Sequence, residues 1–178
     1  MGSASGAASL RRFCVGAAHS EAGVPGGAPL GVWDILRAPH CHVSVFVLPP
    51  GSGIPLHDHR HMHVLSTLLT GQLRVLSATP GAALARAEAP ATHAQGDTWA
   101  LSPGRGNVHA FECAPDAAAP ATVLEVLAPP YAPEAPCTYF GAAPAAGGAP
   151  LEDLPPPGEH FALRPLAGAP AGLAMVGL

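Results

Sequence analysis

Glycine and proline punctuate this chain so closely that long helices have little room. There are 21 Gly and 22 Pro among 178 residues. In a helix interior each Pro costs about 3 kcal/mol and each Gly about 1 kcal/mol. Between these breaks stand short apolar or β-branched runs: residues 32–36, Cys41 to Leu48, His61 to Leu69, Leu73 to Ser77, Thr98 to Leu101, His109 to Cys113 and Thr122 to Leu127. Pro49-Pro50-Gly51 closes the second run, and Thr70-Gly71-Gln72 turns the third into the fourth. Ser102 to Asn107 is a turn-rich connection. Residues 78–95, rich in Ala, read as a surface loop. Short strands at this spacing predict an all-β chain built as a small antiparallel barrel or jelly roll.

Composition then divides the chain. Residues 1–29 are rich in Ala, Gly and Ser and are expected to form a flexible or weakly docked N-terminal extension. Residues 30–140 carry the barrel. Residues 141–178 return to Pro, Ala and Gly, and both an extended strap along the barrel and a disordered tail fit that composition. All eight basic side chains are Arg, so a P-loop or a Schiff-base lysine is excluded. A formal charge of −4 without a basic run argues against a nucleic-acid partner. No apolar stretch reaches the length of a membrane span. Cys14, Cys41, Cys113 and Cys137 form no CxxC pair, and the start of the chain does not read as a secretory signal. A reducing setting, cytoplasmic or nuclear, is the expectation. A monomer is the expected state, because barrel closure leaves few open edges.

Histidine is the outlier, with ten in the chain, four of them in His57-Asp58-His59-Arg60-His61-Met62-His63. Residues two apart on a strand share a face. His57 and His59 would then reach one metal ion, and His61 and His63 would share their face if the strand ran on unbroken. A solvated His-rich strand with incidental metal affinity is the plainer reading. A second element favours a site: Gly106-Asn107-Val108-His109 places another histidine at the start of a strand, just after a turn.

This layout resembles a cupin, whose first motif runs from Gly through HxH to a Glu and a closing Gly, and whose second runs Gly, Pro, Gly, His. Gly51 begins the first here and Gly71 ends it, but the position of the metal-binding Glu falls on Val64. What remains is His57, His59 and His109, three neutral ligands without a carboxylate. Imidazole suits Fe, Zn, Cu or Ni, so residue type alone does not name the metal.

The resemblance is closer than cupins in general. Val47-Leu48-Pro49-Pro50-Gly51, Ile54 to His59, Met62, Ser66 to Gly71, Asn107 to Phe111, Val123 to Tyr131 and Cys137 to Phe140 are similar, in order and spacing, to the plant cysteine oxidase and cysteamine dioxygenase family. The likeness runs over roughly residues 33 to 140. It implies a thiol dioxygenase that uses non-haem Fe(II) and O2 to convert a cysteine-type thiol to the sulfinic acid. The thiol belongs to a small aminothiol or to the N-terminal Cys of a protein or peptide, where oxidation marks the protein for degradation and serves oxygen sensing through the N-degron pathway.

Carried over by position, His57, His59 and His109 are the iron ligands. Glu125 stands where the family has an Asp near the active site, and Tyr131 where it has a pocket Tyr. Cys137 and Tyr139 stand at positions that a thioether can join. A plainer role for Glu125 is an ion pair with an arginine such as Arg74. The family's Pro-Gly after the second ligand is replaced by Arg60-His61. Two further readings stay open: a cupin that binds a metal or small ligand without turnover, and a three-histidine zinc hydrolase.

Overall fold

The computed structural model describes residues 10–13, 30–81, 85–140, 153–154 and 164–165. Fourteen strands are found among them: β1 (Leu10–Phe13), β2 (Leu30–Arg37), β3 (His42–Leu48), β4 (Gly53–Asp58), β5 (His63–Thr70), β6 (Gln72–Thr79), β7 (Arg86–Ala87), β8 (Ala91–Ala94), β9 (Thr98–Leu101), β10 (Val108–Glu112), β11 (Ala121–Ala128), β12 (Tyr139–Phe140), β13 (Asp153–Leu154) and β14 (Arg164–Pro165). No described residue is helical. The strands form two seven-stranded sheets. One runs β1-β2-β3-β11-β5-β9 with β14 added to β2, and the other runs β13-β12-β4-β10-β6-β7 with β8 added to β6. All pairings are antiparallel except β14 on β2. This is the expected cupin-type double-sheet barrel.

Register sorts the interior of the first sheet into rows. Leu68, Val123 and Phe46 stand side by side across β5, β11 and β3 and belong to an apolar core with Leu30, Leu48 and Phe111. Burying each such large side chain contributes roughly 1.5–3 kcal/mol. Two residues further along the strands, the next row on the same face is Ser66, Glu125, Ser44 and Asp34, across β5, β11, β3 and β2. The step of two that fills one level with hydrocarbon therefore lines the next with polar groups.

Two expectations change. Residues 78–95 are not simply a loop: β6 continues to Thr79, β7 pairs with its end, and β8 pairs Ala91–Ala94 with Gln72 to Val75. β8 is largely exposed, so its sequence carries no apolar alternation to read. The third apolar run also does not continue unbroken from His59. Met62 N–H donates to His59 O at 3.0 Å, and His61 sits at φ 60°. Arg60-His61 thus makes a turn, with His61 in the left-handed conformation that favours glycine. The expectations of a flexible N-terminal extension and of a strap or disordered tail fall mostly outside the described residues. What is described there is β1, β13 and β14, each paired with a barrel strand.

Candidate metal centre

His57, next to last in β4, lies opposite His109 of β10, with Tyr139 of β12 on its other side. His109 and Phe111, two residues apart on β10, pair with His57 and Ile54, three apart on β4, so β4 carries a bulge just before His57. His59 lies beyond the end of β4, and Asn107 holds it there on both sides. The Asn107 carbonyl accepts from His59 N–H at 3.0 Å, and its side-chain amide donates to His59 O at 2.7 Å. The two sequence motifs are therefore tied to each other by backbone and amide bonds, apart from their imidazoles.

The three rings converge. His109 Nε2 is 2.9 Å from His59 Nε2 and 3.2 Å from His57 Nε2. These are the three residues that could hold a metal among the described residues, and all are buried. Burial holds each imidazole in its neutral form, lowering its pKa, and for His59 and His109 the neighbouring histidines add to this. The other ring nitrogens assign the tautomers. His57 Nδ1–H donates to Pro55 O at 2.8 Å. The Tyr131 hydroxyl donates to Asp58 O at 2.6 Å, so its oxygen accepts from His59 Nδ1–H at 2.8 Å. Both rings then turn an Nε2 lone pair inward, as second partners do for metal-ligating histidines. The Nδ1 of His109 is buried without a partner, so nothing else fixes its tautomer, and three converging imidazole nitrogens make a donor set that fits a metal ion. Three imidazoles suit a transition metal rather than Mg or Ca.

Among the described residues no carboxylate joins this set. Val64 is buried with Met62, Leu101 and Leu127, and Tyr131 packs against the same cluster. His61 and His63 are exposed, outside the triad, because the turn at Arg60-His61 breaks the common face. Asp58, between two of the triad histidines, points its carboxylate elsewhere: Oδ1 accepts from Thr138 N–H at 2.8 Å and Oδ2 from Arg60 Nε at 2.6 Å. It thereby fastens the Cys137 to Tyr139 segment to the ligand strand.

A cavity of about 220 Å³ opens beside the triad, bounded by His57, His59, Glu125, Tyr131, Cys137 and Tyr139. Glu125 does not pair with Arg74. Arg74 binds Glu112 instead, and the Ser66 hydroxyl donates to Glu125 Oε1 at 2.9 Å. Arg74 and Glu125 sit in different sheets, a separation the linear sequence does not display. Burial raises the Glu125 pKa to about 7, with the Ser66 bond opposing. Burial lifts the Cys137 thiol to about 11, with the nearby hydroxyls of Tyr131 and Tyr139 opposing. Both tyrosines are likewise pushed up by burial first and then by Cys137.

Comparison with known proteins adds the family. The PCO_ADO family model matches residues 15–155, most of the chain and wider than the stretch covered by the motifs. The chain belongs to the PCO_ADO family. It is 34% identical over 133 residues to plant cysteine oxidase 2 of Arabidopsis thaliana, covering 66% of this chain and 46% of that protein. It is 31% identical over 144 residues to 2-aminoethanethiol dioxygenase of Mus musculus, covering 63% and 54%. The chain thus spans about half the length of these curated relatives. Among solved structures, L-ribose isomerase of Cellulomonas parahominis without ligand shares the fold, with a TM-score of 0.54 at 15% identity, covering 68% of this chain and 72% of that one.

Two polar residues of the pocket, Ser44 and Asp34, escape a motif search: Ser44 flanks Glu125 from β3, opposite Ser66 of the matched Ser66 to Gly71 segment on β5, and Asp34 follows on β2. The signal that could have found them is a polar residue at an inward position of an apolar strand, read by the step of two.

Proposed function

We propose that this chain is a thiol dioxygenase that binds Fe(II) at His57, His59 and His109 and converts the N-terminal cysteine of a protein or peptide to cysteine sulfinic acid. The observation that carries the reading is a buried three-histidine cluster without a carboxylate, facing a cavity that holds Glu125. Overall, R–SH and O2 give R–SO2H: both oxygen atoms end on sulfur, which is oxidised while O2 is reduced, and no other reductant is consumed. Bound iron would supply a redox-active cation that favours the thiolate of a substrate whose thiol is otherwise mostly protonated at neutral pH.

The chain's own groups do the rest. Tyr131 fixes the His59 ring through Nδ1. Glu125, steadied by Ser66, holds the substrate α-ammonium or takes its proton; facing a cation, its carboxyl ionises more readily. Ile54 and Leu127, with other apolar side chains on the cavity wall, limit water. Cys137 and Tyr139 both line the cavity, at the positions that a thioether can join in the family; forming that bond would take two hydrogen atoms from them, with O2 as the acceptor. A reducing compartment, cytoplasm or nucleus, suits both ferrous iron and a free thiol substrate. In that setting the reaction would couple the lifetime of a Cys-initiated protein to oxygen.

The test is Fe(II)-loaded protein, air and a short Cys-initiated peptide, followed by mass spectrometry. Two oxygen atoms gained on the N-terminal cysteine, and none without O2, is the expected result. Oxidation of cysteamine but not the peptide would move the chain to small aminothiols. Turnover of neither at full iron occupancy would leave a ligand-binding cupin. His109→Ala should lose both iron and activity, and an active, iron-replete variant would overturn the ligand assignment.

A further inference from the structure

The row Ser66, Glu125, Ser44, Asp34 does not end at Glu125. It crosses two more strands toward the rim of the cavity, and Ser44 and Asp34 both line that cavity. Ser44 is fully buried, and its hydroxyl has no hydrogen-bond partner. A buried hydroxyl left unpaired costs about 1–3 kcal/mol, so its retention at an inward position calls for a group that engages it. Beyond it, Asp34 Oδ1 accepts from His42 Nε2 at 2.8 Å and Oδ2 from Arg37 at 2.9 Å, with the Arg37 side chain 60% exposed. The row therefore runs from a carboxyl beside the triad, past an unpartnered hydroxyl, to a charged rim in solvent.

We propose that Ser44 is the first hydrogen-bonding subsite for the polypeptide that follows the reacting cysteine, and that Asp34 with Arg37 and His42 forms the rim where that polypeptide leaves the pocket. The proposal deepens the reading above and rests on it for the reacting end. Neighbouring strands lie about 5 Å apart, so Asp34 stands about 10 Å from Glu125 across the sheet. An extended peptide rises about 3.3 Å per residue and spans that distance with about three residues. A free aminothiol is shorter than one residue and leaves the Ser44 hydroxyl and the rim unused. Ser44 Oγ–H can donate to the first peptide carbonyl, or its oxygen can accept the next N–H. Ser44 thus acts on peptide substrates as a specificity residue.

The probe is a fluorescent peptide beginning with Ser in place of Cys, which binds without being oxidised, titrated into metal-loaded protein. Ser44→Ala should weaken binding about fivefold, the loss of one hydrogen bond. Ser44→Thr, which restores the hydroxyl on a residue strands accept, should recover most of it. In turnover, the ratio of kcat/KM for a Cys-initiated peptide to that for cysteamine should fall by a similar factor in Ser44→Ala. Equal peptide binding by the native protein and Ser44→Ala, parallel losses for peptide and cysteamine, or no peptide binding at all would each overturn the subsite. A native protein that binds the Ser peptide through Ser44 but oxidises neither thiol would instead overturn the dioxygenase reading and leave the subsite standing.

Discussion

The Tyr131 hydroxyl lies 2.8 Å from Nδ1 of His59 while donating to the Asp58 carbonyl at 2.6 Å. Its proton is committed to the carbonyl, so it receives the imidazole N–H and turns the opposite nitrogen toward the other two histidines. Tyr131→Phe removes that acceptor and keeps the ring packing. Metal affinity should fall about 10- to 100-fold. Competition with a chelator measures this without reference to turnover, and unchanged affinity would show that the Asn107 bonds alone orient His59.

Glu125 makes stability depend on pH with a defined sign. Its carboxyl has a folded pKa of about 7 against an ordinary 4.5, chiefly through burial. The folded chain therefore keeps a proton that the unfolded chain releases. This contribution is fully present below about pH 4.5 and is lost as pH rises through about 7. Glu125→Gln removes it. The stability of the variant minus that of native metal-free protein should rise between pH 5 and 8, by at most about 3 kcal/mol. The triad histidines titrate with the opposite sign in both proteins and cancel in the difference. Urea unfolding at the two pH values checks the slope, and a constant difference would contradict it.

Gly71 joins β5 to β6 at φ 80°, and a Cβ there would stand 2.6 Å from the Pro120 carbonyl oxygen. Conformation and space both demand glycine at this turn. Gly71→Ala should cost about 3 kcal/mol, lowering Tm by roughly 10 °C. A loss under about 1 kcal/mol, read by thermal unfolding, would mean that the turn relaxes.

His61 shows the converse, a non-glycine residue at φ 60° with an exposed side chain. His61→Gly should stabilise the fold by up to about 1 kcal/mol, and His61→Val should destabilise it by about 1 kcal/mol. Neither should change metal stoichiometry, since His61 lies outside the triad. Loss of metal in His61→Gly would reopen its role as a ligand.

The sequence by itself determined the fold class and the three histidines that could share a metal. Gly and Pro spacing sets strand length, which is local chain geometry, and the three histidines were legible from two spaced motifs, although His59 stands past the end of β4, where Asn107 holds it. Val64 could be read as a non-ligand from its residue type alone. Tertiary structure decided the rest, because each remaining question turned on residues distant in the chain. Arg60-His61 breaks the strand, which sends His61 and His63 outward despite their even spacing. Glu125 meets Ser66, 59 residues away, while Arg74 goes to Glu112 on the other sheet. β8 carries no apolar pattern because its exposed ladder is held by backbone bonds, which any side chain permits. The row of Ser66, Glu125, Ser44 and Asp34 exists only through the register of four strands, and register is a property of pairing between strands, not of any one of them.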